Sequence, residues 1–273
     1  MNKSINEFLT NAAVKVTSII PSQRFWELAH RLTLLQMNIG SGWDYENSGE
    51  LKLAKKIRKK YGNGTSLTIF DVGANVGGYS KRLSSIFGET DKIYSFEPSK
   101  ATYDLMKKAT VDCRNVLPNN IGLSDKEEQL TLYTNSDGSG LATVYPRVLE
   151  HYGDIRMDRT EVVELSTIDS FCASNNIDRI HFLKLDVEGH ELKVMKGAEK
   201  MLAAKQIDHI QFEFSGCNID SRTYFRDFYY LLKDKFRIYR ILRNGIHELW
   251  RYMDYYEIYI TANYLAVSRE LKQ

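Results

Sequence analysis

Two stretches of this chain hold residue types at spacings that can do chemistry. The first is Asp186-Val187-Glu188-Gly189-His190-Glu191, which follows the apolar run Leu183-Lys184-Leu185. Side chains alternate along extended backbone, so an extended 186–188 segment projects Asp186 and Glu188 to one side, where the His190 imidazole joins them. Crowded carboxylates raise at least one pKa, which suits a general base for a hydroxyl nucleophile. The same oxygens, completed by Glu213 at the end of the next apolar run, suit a hard divalent cation instead. The plainer alternative gives Glu188 and Glu191 to the positive end of the following helix and His190 to a solvent-facing first turn. His181, inside an apolar run, reads as a hydrogen-bonded core histidine. Asp186 is the residue expected in a site, because a lone acid at a buried strand end needs a reason to be there.

The second stretch is Asp71-Val72-Gly73-Ala74-Asn75-Val76-Gly77-Gly78, where a β-rich run passes into a helical pattern. Glycines here let backbone approach a ligand, and a helix N-terminus offers free N–H groups. A dinucleotide fingerprint needs glycine where Asn75 stands, and no Gly-Lys-Ser/Thr follows, so a P-loop is excluded. What fits is a nucleoside without phosphates but with an amino-acid tail, whose ammonium and carboxylate meet Asp71 and the loop amides. S-adenosylmethionine is such a ligand. Glu97 closes the next apolar run, in Tyr94-Ser95-Phe96-Glu97-Pro98. A carboxylate there accepts hydrogen bonds from vicinal ribose hydroxyls, a role that nicotinamide-binding proteins share.

Positioning these groups falls to alternating strands and helices. Segments 67–72, 92–96, 116–123, 129–133, 180–185 and 207–214 read as strands, and 79–87, 101–109, 167–176 and 191–202 as helices. That alternation predicts an α/β fold with a mostly parallel sheet covered by helices. Segments 236–242 and 246–250 flank Asn244-Gly245, a tight-turn pair, and predict a hairpin; 257–267 ends the chain as extended structure. The polar loop Asp137-Gly138-Ser139-Gly140 is a candidate lid. Residues 1–64 are expected to form a helical N-terminal extension and residues 65–273 the main domain. In the extension, Phe8, Val14, Val16, Ile19 and Ile20, then Phe25, Trp26, Leu28, Leu32, Leu34 and Leu35, are spaced for helices with one apolar face. A third helix is predicted from Asn47, with Glu50 placed to complete a capping box, up to Gly62, Asn63 and Gly64. Its Lys55, Lys56, Arg58, Lys59 and Lys60 form a solvated face, with peripheral contact to acidic lipid or a polyphosphate carrier as the lesser reading.

Taken together, these stretches resemble the FkbM-type family of S-adenosylmethionine-dependent methyltransferases. The resemblance rests on Phe70 through Gly77, Ser95 through Pro98, Gly122 through Asp125, Ser139 through Ala142, Thr167 through Phe171 and Leu183 through Gly197, and covers residues 64–267. It implies a Rossmann-like class I methyltransferase fold, an α/β architecture with a seven-stranded, mostly parallel sheet whose last strand is reversed. It also implies O-methylation of a hydroxyl on a sugar, glycan or related natural-product acceptor. Asp71, Gly73, Asn75, Gly77 and Glu97 are thereby expected in the S-adenosylmethionine pocket, with Ala74, Pro98 and Asp186 completing the cofactor contacts. The expected catalytic group is Asp186, or His190 oriented by Asp186, with Glu188 beside them. A divalent cation on Asp186, Glu188 and Glu213 is the alternative way to acidify the hydroxyl.

Composition bounds the partners. The chain has 273 residues, 43% hydrophobic and 26% charged, with a net charge of +2, too small to mark a nucleic-acid binder. Three scattered cysteines form neither a disulfide framework nor a zinc spacing. No apolar run approaches the ~18 residues of a membrane span, and no secretory signal opens the chain, so a soluble, cytoplasmic enzyme is the expectation. Trp250, Tyr252, Tyr255, Tyr256, Tyr259 and Tyr264 read mainly as core or dimer contacts, which leaves a homo-oligomer open, and secondarily as a platform for a sugar. Arg222, Arg226, Arg240 and Arg243 read as solvated. Two rivals are weighed: a nicotinamide-dependent sugar oxidoreductase, opposed by Asn75, and a non-catalytic adenosyl-binding scaffold in glycan assembly, opposed by intact Gly73, Glu97 and Asp186.

Overall fold

The structure, a computed structural model, describes residues 11–14, 17, 22–41, 44–62, 64–149, 153 and 155–271. Phe8, Val16, Ile19, Ile20 and Asn63, named above, lie outside them. The chain divides into two compact units, Met1–Met37 and Asn38–Gln273. In the first, helix α1 (Gln23–Gln36) is capped by Ser22, whose hydroxyl accepts from Phe25 N, and Phe25, Leu28, Leu32 and Leu35 are exposed on it. No helix among the described residues is long and apolar enough to cross a membrane.

The second unit begins at Asn38 and so takes in the later part of segment 1–64. The cause is helix α2 (Glu50–Tyr61), whose Leu51, Leu53, Ala54 and Ile57 are buried in one cluster with Leu67, Ile69, Leu83, Ile93 and Phe182. Fully burying each such aliphatic side chain contributes about 1.5–3 kcal/mol, which ties the helix to the main core. The expected capping box does not form. Gly49 is the N-cap, in a left-handed conformation at φ +100°, and a Cβ there would lie 2.1 Å from the Leu242 carbonyl oxygen. Glu50 turns inward instead. Lys55, Lys56, Lys59 and Lys60 are exposed as expected, while Arg58 pairs with Asp91 at 3.0 Å.

The strands of the main sheet are β1 (Thr68–Val72), β2 (Lys92–Phe96), β3 (Val116–Asn119), β7 (Phe182–Leu185), β8 (His209–Phe214), β9 (Phe236–Leu242), β10 (Gly245–Glu248) and β11 (Ala262–Ser268). Their order is β10-β9-β11-β8-β7-β1-β2-β3. Pairings from β3 through β8 are parallel, and β11 runs antiparallel to both β8 and β9. This is the expected Rossmann-like sheet with its reversed last strand. The Asn244-Gly245 hairpin, predicted from the turn pair, adds β10 as an eighth strand at the edge. Helices α3 (Gly78–Ile86), α4 (Lys100–Ala109) and α5 (Ile168–Ser174) join the strands, the last capped by Thr167 as expected. The predicted 191–202 helix is broken into α6 (Glu191–Lys196) and α7 (Glu199–Ala203). Gly197 sits at the break, where a Cβ would lie 1.9 Å from the Ser124 carbonyl oxygen.

A second sheet was not foreseen as such. The expected strand 116–123 ends at Asn119, and β4 (Gly122–Leu123) leaves the main sheet to pair with β6 (Arg159–Ser166), which also pairs with β5 (Glu128–Thr134). Leu132, Val163 and Leu165 bury its inner face. The chain changes direction of travel across the main sheet between β1 and β7, the switch point where open α/β sheets bind ligands.

Candidate active site

A cavity of about 710 Å³ opens at that switch point. Gly73, Ala74, Asn75, Glu97 and Pro98 line one end, Asp186, Glu188, His190 and Glu213 the other, and Gly122, Leu123, Leu132 and Leu165 of the small sheet form a wall. Of the expected site residues, only Asp71 and Gly77 are absent from the lining.

At the glycine-loop end the backbone satisfies itself. Gly73 N and Ala74 N donate to Phe96 O, and Gly77 N donates to Ala74 O at 2.9 Å. Asn75, at φ +49°, donates its N–H to Glu97 Oε2 and accepts from Val76 N on its own side chain. These amides are thus spent, contrary to the expectation that they meet a ligand carboxylate. The start of helix α3, Gly78 and Tyr79, also lines the cavity, and the first N–H groups of a helix have no intrahelical acceptor. Gly73 is required for another reason: at φ +77°, a Cβ would lie 1.8 Å from the Asp186 carbonyl oxygen, so the loop packs directly on the carboxylate strand end. Glu97 accepts from Asn75 N and Ser99 N, and burial pushes its pKa up to about 7. The carboxylate keeps lone pairs for hydroxyl donors. Loop 137–140 lies against this end, with Gly138 N donating to Thr102 Oγ1 and Ser139 and Gly140 lining the cavity.

Asp71 does not face the cavity; it belongs to a polar row across the sheet. Strand register aligns Ser95, Asp71, Lys184 and Gln211 on β2, β1, β7 and β8. Ser80 of α3 donates to Asp71 Oδ2 and shares a hydrogen bond with Ser95, while Lys184 Nζ lies 3.3 Å from both Asp71 Oδ1 and Asp186 Oδ2. Asp186 and Asp71, with Glu50 adding to them, hold the Lys184 ammonium charged despite its burial, and the Tyr79 ring covers it at 5.1 Å. Lys184 lines the cavity and was missed, although a lysine inside the run Phe182-Leu183-Lys184-Leu185 is itself a signal. So were Glu50, Tyr45 and Tyr79, which also line it.

At the other end, residues 186–188 are not extended. The chain leaves β7 in a turn with Glu188 at φ +52° and Gly189 at φ +99°. Asp186, Glu188 and Glu213 nevertheless converge, each offering one oxygen within 4.8 Å of the others. Burial, with Asp186 adding to it, raises Glu188 to about 8, and the same causes raise Glu213 well above the usual carboxylate range. Glu191 does not serve the helix dipole alone: its Oε1 accepts from Val187 N and Gly189 N and so holds the turn.

His190 is not solvent-facing, nor does Asp186 orient it. It is buried, with Nε2 2.9 Å from Ser124 Oγ and Nδ1 2.8 Å from Tyr145 Oη, and burial depresses its pKa to about 4. A neutral imidazole with both nitrogens engaged is a poor proton acceptor. It anchors the 143–147 segment, whose alternate residues all reach the turn: Thr143 Oγ1 donates to Glu188 O, Tyr145 meets His190, and Arg147 Nη1 donates to Glu188 Oε2, each at 2.8 Å. His181 is the hydrogen-bonded core histidine expected, its Nδ1 accepting from Thr68 N at 2.9 Å. None of the C-terminal aromatics or arginines singled out in the sequence lines the cavity. Tyr264 stacks on Phe212 and Tyr259 packs on Phe214, while Trp250 and Tyr255 are exposed.

The chain is similar to known proteins in sequence and in fold. A family model described as a methyltransferase FkbM domain matches residues 71–253. The hexuronic acid methyltransferase AglP of Haloferax volcanii is 27% identical over 137 residues, 49% of this chain and 51% of that protein, so the chain matches about half the length of this curated relative. Among solved structures, an O-methyltransferase from Bacillus cereus in complex with SAH aligns over 94% of this chain and 97% of its own, with 12% identity and a TM-score of 0.42. Fibrillarin from Aeropyrum pernix, with natively bound S-adenosyl-L-methionine, aligns over 81% and 76%, with 16% identity and a TM-score of 0.41.

Proposed function

The chain belongs to the FkbM methyltransferase family, and from that premise we propose that it transfers a methyl group from S-adenosylmethionine to a hydroxyl of a sugar or glycan. The carrying observation is one cavity with a nucleoside-type grip at one end, Gly73 to Asn75 with Glu97, and the carboxylate cluster of Asp186, Glu188 and Glu213 at the other. The sugar acceptor draws support from the relative that acts on a hexuronic acid.

Methyl transfer from a sulfonium to oxygen is an in-line displacement, so catalysis consists chiefly of holding the hydroxyl collinear with the methyl–sulfur bond. Glu97 takes the ribose hydroxyls. Asp186, lining the cavity with its side chain 41% exposed and steadied by Lys184, takes the hydroxyl proton as the bond forms. His190 is removed as a base by its hydrogen bonds and serves to hold the turn. The hard oxygen donors of Asp186, Glu188 and Glu213 fit a divalent cation, which would supply acidification of the hydroxyl; Lys184 and Arg147 already neutralise the first two. Chelation followed by magnesium or manganese add-back tests that second reading.

Incubation with a labelled methyl donor and a panel of nucleotide sugars, glycolipids and oligosaccharides tests the proposal. Label transferred to a sugar hydroxyl is the expected result; label on no sugar overturns it. Parallel heating curves with S-adenosylhomocysteine and NAD separate the oxidoreductase rival, since only a bound ligand raises the midpoint.

A further inference from the structure

Glu50 is a buried acid that neither the family-matched region, residues 71–253, nor the mechanism above accounts for. It lines the cavity at 4% exposure. Its Oε1 accepts from Ser48 Oγ and Asn263 Nδ2, and its Oε2 from Gln211 Nε2, at the end of the polar row. All three donors are neutral. Lys184, the cation of the row, pairs with Asp71 and Asp186 and reaches Glu50 only through its charge, with no ion pair between them. A buried carboxylate without a cationic hydrogen-bond partner is costly, and burial accordingly raises Glu50 to about 7. A carboxylate has about four lone-pair sites, and donors among the described residues use three, which leaves one for a further donor.

The neighbours define what that donor is. Tyr45, Gly78, Tyr79 and Lys184 line the cavity with Glu50, and the Tyr45 hydroxyl sits against the start of α3, 3.0 Å from where a Gly78 Cβ would be. This corner therefore joins a helix N-terminus, suited to a carboxylate, to an acid that no cation among the described residues hydrogen-bonds, suited to an ammonium. Asp71, the acid expected to take the ammonium, is occupied by Ser80 and Lys184 and lies outside the lining. We propose that Glu50, supplied by the segment before the family-matched region, receives the α-ammonium of the donor's amino-acid tail. This rests on the S-adenosylmethionine reading.

The test compares S-adenosylhomocysteine with 5′-(3-carboxypropylthio)-5′-deoxyadenosine, the same molecule without its α-amino group, on the full chain by calorimetry. Wild type should bind the deaminated compound about 10- to 100-fold more weakly, the worth of a charge-assisted hydrogen bond. Glu50→Gln should lose a similar factor for S-adenosylhomocysteine while its affinity for the deaminated compound stays within a few fold. A wild type that binds both compounds equally overturns the role of Glu50 and leaves the donor reading standing, and this arm needs no variant to fold. A Glu50→Gln protein that retains the full wild-type discrimination also overturns it. Binding of neither compound by wild type takes down the donor reading and this inference with it.

Discussion

Gly73, Asn75 and Glu97 come from two successive strand ends, joined by a hydrogen bond that spans 22 residues. The carboxylate end draws on Ser124, the 143–147 segment, the turn at 186–190 and Glu213, which meet only because β7 and β8 are neighbours and the small sheet folds over them. Backbone geometry governs the first end: positive φ at Gly73, Asn75 and Gly77, with amides closing on local carbonyls. Side-chain partners govern the second, where burial moves His190 down and Glu188 and Glu213 up. A loop whose shape is set by its own glycines tolerates variation elsewhere, whereas a cluster held by long-range partners is sensitive to each of them.

The harshest way to break this comparison is to collide the two ends. Gly73→Ala places a methyl 1.8 Å from the Asp186 carbonyl oxygen at a positive φ, and should cost about 3–5 kcal/mol of stability. Chemical denaturation measures this, and a loss under 1 kcal/mol would show that the ends are not in contact. Next comes His190. Its folded pKa of about 4 lies below the unfolded value of 6.5, so the unfolded chain takes the proton first and stability is lost as pH falls from about 6.5 toward 4. The loss amounts to at most ~3 kcal/mol, from 1.36 kcal/mol per unit. Melting curves of His190→Gln should lose this part of the acid slope; an unchanged slope would place the imidazole elsewhere.

Asp186→Asn should lower turnover roughly 10²-fold while S-adenosylhomocysteine affinity stays within a few fold. Undiminished turnover would leave the base unassigned and strip the carboxylate end of its chemistry. The mildest expectation concerns Glu97→Gln, which keeps the hydrogen bonds to one oxygen and should weaken S-adenosylhomocysteine about tenfold with kcat at saturating donor little changed. A fall in kcat instead of affinity would reverse the roles of the two ends.

Legibility in the sequence follows the same division. The glycine loop, Glu97 and the run after Leu185 could all be located, because a strand handing over to a helix writes a local pattern. The hairpin at Asn244-Gly245 and the capping of α5 by Thr167 were equally local. Strand β6 escaped notice, because its burial alternates only over Val163 and Leu165 and its partners lie on β4 and β5. Arg147 and Tyr145 carried no signal at all until the small sheet brought them over the turn.

By itself, then, the amino-acid order determined the alternation of strands and helices, the family, and the glycine loop at which the backbone turns sharply between strand and helix, since these depend on neighbours a few positions away. Tertiary structure alone decided which acids face the cavity. Asp71 was turned into the polar row by Ser80 and Lys184, while Glu50 was drawn to the cavity by Gln211 and Asn263, partners 161 and 213 residues distant. Local periodicity cannot encode contacts of that range, because which side chain compensates a buried charge is known only once the sheet has aligned its strands.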